Sequence, residues 1–179
     1  CNRQVPVHVA EARRDGELVV AVHFRNGDIT GKDGKALANH NAETRYAGAH
    51  SYKAIMESVA ALPAGCTRVF VVTEDRHADN MDHFANWFNE RAAAPLRFLP
   101  KKTCDAFCAL STFAHSDVLV PGLSGFSFFG AVLANDSTLV AFIENAHWAL
   151  RAHQTGHAQL RASNFSAHLR AKLPTRCTA

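Results

Sequence analysis

The sequence has no run of lysine or arginine longer than a pair; Arg13-Arg14 and Lys101-Lys102 are typical of it. With 19 basic residues against 16 acidic ones, its formal net charge is only +3. Scattered charge of this kind lacks the basic stripe that nucleic-acid binding needs, and no nucleic-acid partner is expected. No apolar stretch approaches the ~20 residues that span a bilayer, and no signal-peptide pattern is present. Internal repeats and low-complexity segments are also missing. The chain opens on Cys1 rather than methionine, and it reads as a piece of a longer parent protein.

What is present suits one ordinary domain with a sizeable core: 179 residues, 47% of them hydrophobic. The five cysteines are an odd set, read as buried thiols plus one bridge of unknown connectivity. Cys104 and Cys108, four apart, read as core residues on one helix face. No second close ligand pair accompanies them, so no zinc site is expected. His147, His153 and His157 read as a solvated helical face, and Phe84, Trp87 and Phe88 as core. Two sequons, Asn135-Asp136-Ser137 and Asn164-Phe165-Ser166, are compatible with a secretory lumen.

Hydrophobic patterning alternates strands with helices. Continuous β-branched runs at 18–24 and 68–73 predict strands buried on both faces, and shorter strands are expected at 96–99, 117–120 and 138–143. Helices are expected at 46–62, 79–94, 105–115 and 124–134. The fold class is therefore α/β, a doubly wound parallel Rossmann-like sheet of about five strands. Residues 1–145 form this domain, and 146–179 a helical tail that packs on it or frays. With strand order 3-2-1-4-5, ligands would sit beyond the carboxyl ends of the first and fourth strands.

The loops at those two ends carry the candidate residues. After the first strand comes His23-Phe24-Arg25-Asn26-Gly27-Asp28. An arginine there can fork onto two phosphate oxygens, Gly27 lets the backbone approach a ligand, and Asp28 can orient Arg25. After the fourth strand comes Pro121-Gly122-Leu123-Ser124-Gly125-Phe126-Ser127. Ser124 suits a helix N-cap, and the free N–H groups of a helix N-terminus bind phosphate. Beyond the second strand, Thr73-Glu74-Asp75 offers a carboxylate to the donors of a base or ribose. Each segment alone has a structural explanation: a salt-bridged turn, a plain cap, a capping Asp75 for the helix at Asp79. Their placement around one crevice is what joins them.

These three segments, with Ser116-Asp117-Val118-Leu119-Val120 leading into the last, resemble the donor-binding domain of GDP-fucose-dependent fucosyltransferases. The resemblance covers about residues 19–142 and takes in the α1,2, α1,6 and protein O-fucosyltransferase types. It implies the C-terminal half of a GT-B-type glycosyltransferase that inverts configuration while moving fucose from GDP-fucose to a glycan hydroxyl. By the resemblance, Arg25 holds the leaving diphosphate and Asp33 stands where the α1,6 group has a carboxylate, as general base. His23, Gly27, Asp28, Asp75, Ser124, Gly125, Phe126 and Ser127 would line the donor site, with Asp75 on guanine. No cofactor and no metal are expected, since the chain has no Asp-x-Asp pair to hold a cation. The implied partners are a nucleotide sugar and a glycan acceptor. A missing N-terminal acceptor domain or membrane anchor is expected in the parent, and a Golgi or secretory lumen location if that parent is eukaryotic. The sequence departs from the motif at Asn26, where a second arginine is frequent, and at Gly125, where a serine is. A binding module without catalysis, or an unrelated α/β enzyme for another phosphate ligand, are the alternative readings.

Overall fold

The computed structural model describes residues 4–25, 49–74, 79–99, 102–122, 124–142 and 162–177. A first helix, α1 (Val7–Arg14), leads into β1 (Leu18–His23). Then follow α2 (Ala49–Ala60), β2 (Thr67–Val72), α3 (Asp79–Asn89), β3 (Leu96–Phe98), α4 (Ala106–Ala114), β4 (Val118–Val120), α5 (Gly125–Leu133) and β5 (Leu139–Val140). Helix α6 (Ala162–Ala171) and a 3-10 turn (Thr175–Cys177) close the described chain. All strand pairs are parallel, in the order β3-β2-β1-β4-β5, which is the doubly wound Rossmann-like arrangement expected from the pattern.

The strand pleat sorts the core into two layers, because successive side chains point to opposite faces. Leu18, Val20 and Val22 of β1 join Val69, Val71, Val118 and Val120 on one face, under Met56, Phe84, Phe165 and Leu169 of α2, α3 and α6. Ala21, Leu119 and Val140 face the other way, toward Phe113 of α4 and Ala131 of α5. Val19 and Phe70, also on that second face, pack against Val9 and Ala12 of α1. Every residue of β1 is buried, which is why its sequence is a continuous apolar run rather than an alternating one.

Helix α1 and the cysteine pairing differ from the sequence-based expectation. Helix α1 is not visible as a periodic apolar pattern, because only Val9 and Ala12 of its eight residues are buried. At the chain's other end, where a helical tail that packs or frays is expected, residues 162–171 form α6, with Phe165 and Leu169 fully buried. Cys177 just beyond it is bonded to Cys66, at the entry to β2. The cysteines therefore form two bridges rather than one. Cys104, expected on a helix face with Cys108, precedes the helix: Asp105 is the N-cap of α4, accepting from the Cys108 N–H at 2.9 Å, and the two cysteines form the second bridge.

Candidate functional site

The strand order reverses between β1 and β4, and the polar residues gather at the carboxyl ends of these two strands. His23 ends β1; Phe24 behind it is fully buried, and stacks on Tyr52 of α2 with ring centroids 4.6 Å apart. The Tyr52 hydroxyl donates to the His23 carbonyl at 2.9 Å. Burial pushes the Tyr52 phenol above its ordinary range; a hydrogen bond from the Arg25 backbone opposes that shift and the Glu74 carboxylate adds to it. The phenol therefore stays protonated and ties α2 to the backbone on which Arg25 stands.

On the β4 side, close approach is enforced at Gly122. A Cβ there would stand 2.6 Å from the His23 carbonyl oxygen and 3.0 Å from the Tyr52 hydroxyl. Only glycine lets the β4 loop pass this near the end of β1. In the second turn of α5, Gly130 faces Phe113, with no room for a methyl group, so α5 lies tightly on α4. These contacts aim the N-terminus of α5 at the end of β1.

Ser124 is the N-cap of α5, and its Oγ accepts from the Phe126 N–H at 3.2 Å. The same oxygen accepts from Arg25 Nη1 at 3.1 Å. With two donors directed at it, the hydroxyl's own proton is directed away from both. The Ser127 hydroxyl donates to the carbonyls of Gly122 and Ser124, at 3.0 and 3.3 Å, and is fully buried. It fixes the loop rather than presenting itself outward. Gly125 is exposed, and a Cβ on it would meet nothing within 4 Å among the described residues. Phe126 packs edge-on to His23 and Phe113, at 5.8 Å from each.

His23 is 1% exposed. Its Nε2 lies 3.7 Å from a Glu74 carboxylate oxygen, and its Nδ1, beside Gly122, has no hydrogen-bond partner among the described residues. An orphaned polar atom of this kind costs about 1–3 kcal/mol in a folded chain.

Of the residues singled out from sequence, His23, Arg25, Ser124, Gly125, Phe126 and Ser127 meet at this one place. Gly27, Asp28, Asp33 and Asp75 lie outside the described residues. Sequence reasoning missed Tyr52 as a contributor, quoted Glu74 only within the Thr73-Glu74-Asp75 segment whose carboxylate role went to Asp75, and missed Gly122 as the contact that brings the two loops together. Tyr52 carried no signal, since its ring reads as one more core residue of α2. Gly122 was legible only as part of a loop. Among the described residues, no group of three His, Cys, Asp or Glu side chains is placed to hold a metal, and no helix is long and apolar enough to cross a membrane.

A guanidinium held beside a helix N-terminus offers what anion binding needs: fixed positive charge, directed N–H donors and a local dipole of the same sign. No model of a known protein family matches the chain, and no curated protein matches it.

Proposed function

We propose that this chain is the donor-binding half of a fucosyltransferase-like glycosyltransferase, which holds a sugar nucleoside diphosphate across the end of β1 and the start of α5. The observation that carries the reading is the 3.1 Å contact from Arg25 Nη1 to Ser124 Oγ, bridging the two strands where the sheet's order reverses. It supports a diphosphate site because the cation and the helix N-terminus converge on one volume. Neither group would hold a doubly charged ligand as well alone.

In this reading the sugar's anomeric carbon loses its bond to the diphosphate oxygen, and the acceptor hydroxyl attacks from the opposite side. Negative charge grows on the departing diphosphate, and Arg25 with the α5 N–H groups neutralises it as it forms. The Ser124 proton is available to a phosphate oxygen, while Ser127 and Gly122 keep the loop in place. Asp33 would take the acceptor's proton, and Asp75 would accept from the guanine edge. His23 and Glu74 would sit beside the bound diphosphate.

A second reading, a nucleotide-sugar-binding module without turnover, draws on Asn26 standing where the motif often has another arginine. A thermal-shift panel of GDP, UDP, ADP and inorganic phosphate tests the shared core of both. Stabilisation by GDP well beyond the others is expected; equal response to every phosphate ligand would instead favour an unrelated phosphate-binding enzyme. Hydrolysis or transfer of GDP-fucose then separates an active transferase from a silent binding module.

A further inference from the structure

We infer that Asn135 is a site of N-linked glycosylation, on the side of the sheet opposite the nucleotide crevice. The Asn135-Asp136-Ser137 sequon forms the turn between α5 and β5, and all three residues are exposed. The Thr138 N–H donates to the Asn135 carbonyl at 2.8 Å, closing the turn. The Asn135 side-chain oxygen accepts from the Ser137 N–H at 3.1 Å. This ties the carboxamide to the residue that carries the sequon's hydroxyl. Thr138 donates to the Ser116 carbonyl at 2.9 Å, and Lys172 Nζ donates to the Ser137 carbonyl. The turn is thus anchored from two sides while the asparagine stays in water.

A second, independent observation points to the compartment. Two disulfides use four of the five cysteines, and such bridges form and persist in oxidising, secretory surroundings. A sequon is an acceptor only there. In the modification, Asn135 Nδ2 bonds to the anomeric carbon of an oligosaccharide carried on a lipid pyrophosphate. The anomeric carbon–oxygen bond breaks, the lipid pyrophosphate leaves with the electron pair, and the amide nitrogen gives up one proton.

The position is compatible with ligand binding. The turn precedes β5, next to Ser116 before β4, so it lies at the amino-terminal edge of the sheet. Arg25 and Ser124 lie at the carboxyl edge. A glycan on Asn135 therefore projects away from the crevice. The second sequon differs in kind. Asn164 lies in the first turn of α6, and Phe165, the middle residue of its tripeptide, is fully buried in the core. Helical backbone anchored in this way does not offer the exposed turn found at Asn135.

The test is expression through the secretory pathway of a eukaryotic cell, followed by amidase release in heavy-oxygen water and peptide mass spectrometry. Release converts each formerly modified asparagine to a heavy aspartate. The expected result is a heavy mark at position 135 in most molecules, at higher occupancy than at position 164. Asn135→Gln and Ser137→Ala should each abolish the mark at 135. Ser137→Ala keeps the backbone N–H that Asn135 accepts from, so loss of the mark there reflects the hydroxyl and not misfolding. An unmarked Asn135 in secreted protein with both disulfides formed would overturn the inference, and so would higher occupancy at Asn164.

Discussion

The two ends of the sheet are held in different ways, although the same strands run between them. At the amino end a disulfide, ion pairs and a carboxylate hydrogen bond join distant parts of the chain. Cys66 is bonded to Cys177, 111 residues away. The Asp117 carboxylate accepts from the Val19 N–H at 2.8 Å, with Arg13 3.7 Å from it. Arg68 bridges Asp15, at 2.8 Å, and Glu17. At the carboxyl end the described contacts are non-covalent: Arg25 donates to Ser124, Tyr52 donates to the His23 carbonyl, and His23 Nε2 lies 3.7 Å from the Glu74 carboxylate. Each end leaves a buried polar atom without a hydrogen-bond partner among the described residues, Thr67 Oγ1 at one and His23 Nδ1 at the other. The contrast is therefore one of kind rather than completeness. The amino end fixes the frame, and the carboxyl end gathers charge and donors that a ligand can engage without breaking the frame.

The largest expected effect breaks the fastened end. Replacing Cys66 and Cys177 with serine opens a loop of more than a hundred residues, for which chain-entropy reasoning gives about 4–5 kcal/mol. Replacing Cys104 and Cys108 opens a loop whose cysteines are only four apart, and should cost less than about 3 kcal/mol by the same reasoning. Denaturant titration of both double mutants checks the order. Equal losses would mean that the long bridge does not constrain the unfolded chain as described.

Next in size is the effect of Arg25→Ala on turnover. Under the proposed transferase reading, transfer by protein that also carries the acceptor-binding half should fall on the order of 10²–10³-fold, as when one oxyanion donor is removed. The melting temperature should stay close to that of the parent, because the Arg25 side chain is only partly buried and belongs to none of the hydrophobic core clusters. Arg25→Lys should restore little, since an ammonium cannot make the paired contact. Steady-state rates beside a thermal melt separate this from misfolding, and normal turnover in a folded Arg25→Ala protein would remove Arg25 from the mechanism.

The smallest of the three acts at the join between the ends of β1 and β4. Gly122→Ala forces a methyl group toward the His23 carbonyl and should cost about 1–3 kcal/mol, as for an overpacked core. Because the strain falls between the loops that carry Arg25 and Ser124, nucleotide affinity should fall along with stability. Loss of stability with affinity unchanged would show that the two loops are positioned independently.

How much was legible in sequence follows the same division of forces. β1 and β2 are written as uninterrupted β-branched runs because a parallel strand is buried on both faces. Their order then placed Arg25 and Ser124 at one crevice. The pairing of Cys66 with Cys177 was not legible, since spacing along the chain does not encode proximity in the fold. A helical tail was expected, but not that Phe165 and Leu169, within an alanine- and histidine-rich stretch, attach α6 to the core. The i, i+4 spacing of Cys104 and Cys108 suggested a shared helix face; Asp105 as N-cap put Cys104 outside the helix instead. Tyr52 was unreadable for another reason. Its ring belongs to the core, and only its hydroxyl reaches the site.

The central claim, that a nucleoside diphosphate sits between Arg25 and the N-terminus of α5, is tested most directly by calorimetric titration. GDP, UDP and ADP would be titrated into the parent chain and into Arg25→Ala. The account predicts GDP-selective binding in the parent and a loss of at least about tenfold in Arg25→Ala, equivalent to about 1.4 kcal/mol or more, with the heat of GDP binding reduced. GDP affinity identical in the two proteins, or no preference among the three nucleotides, would contradict it.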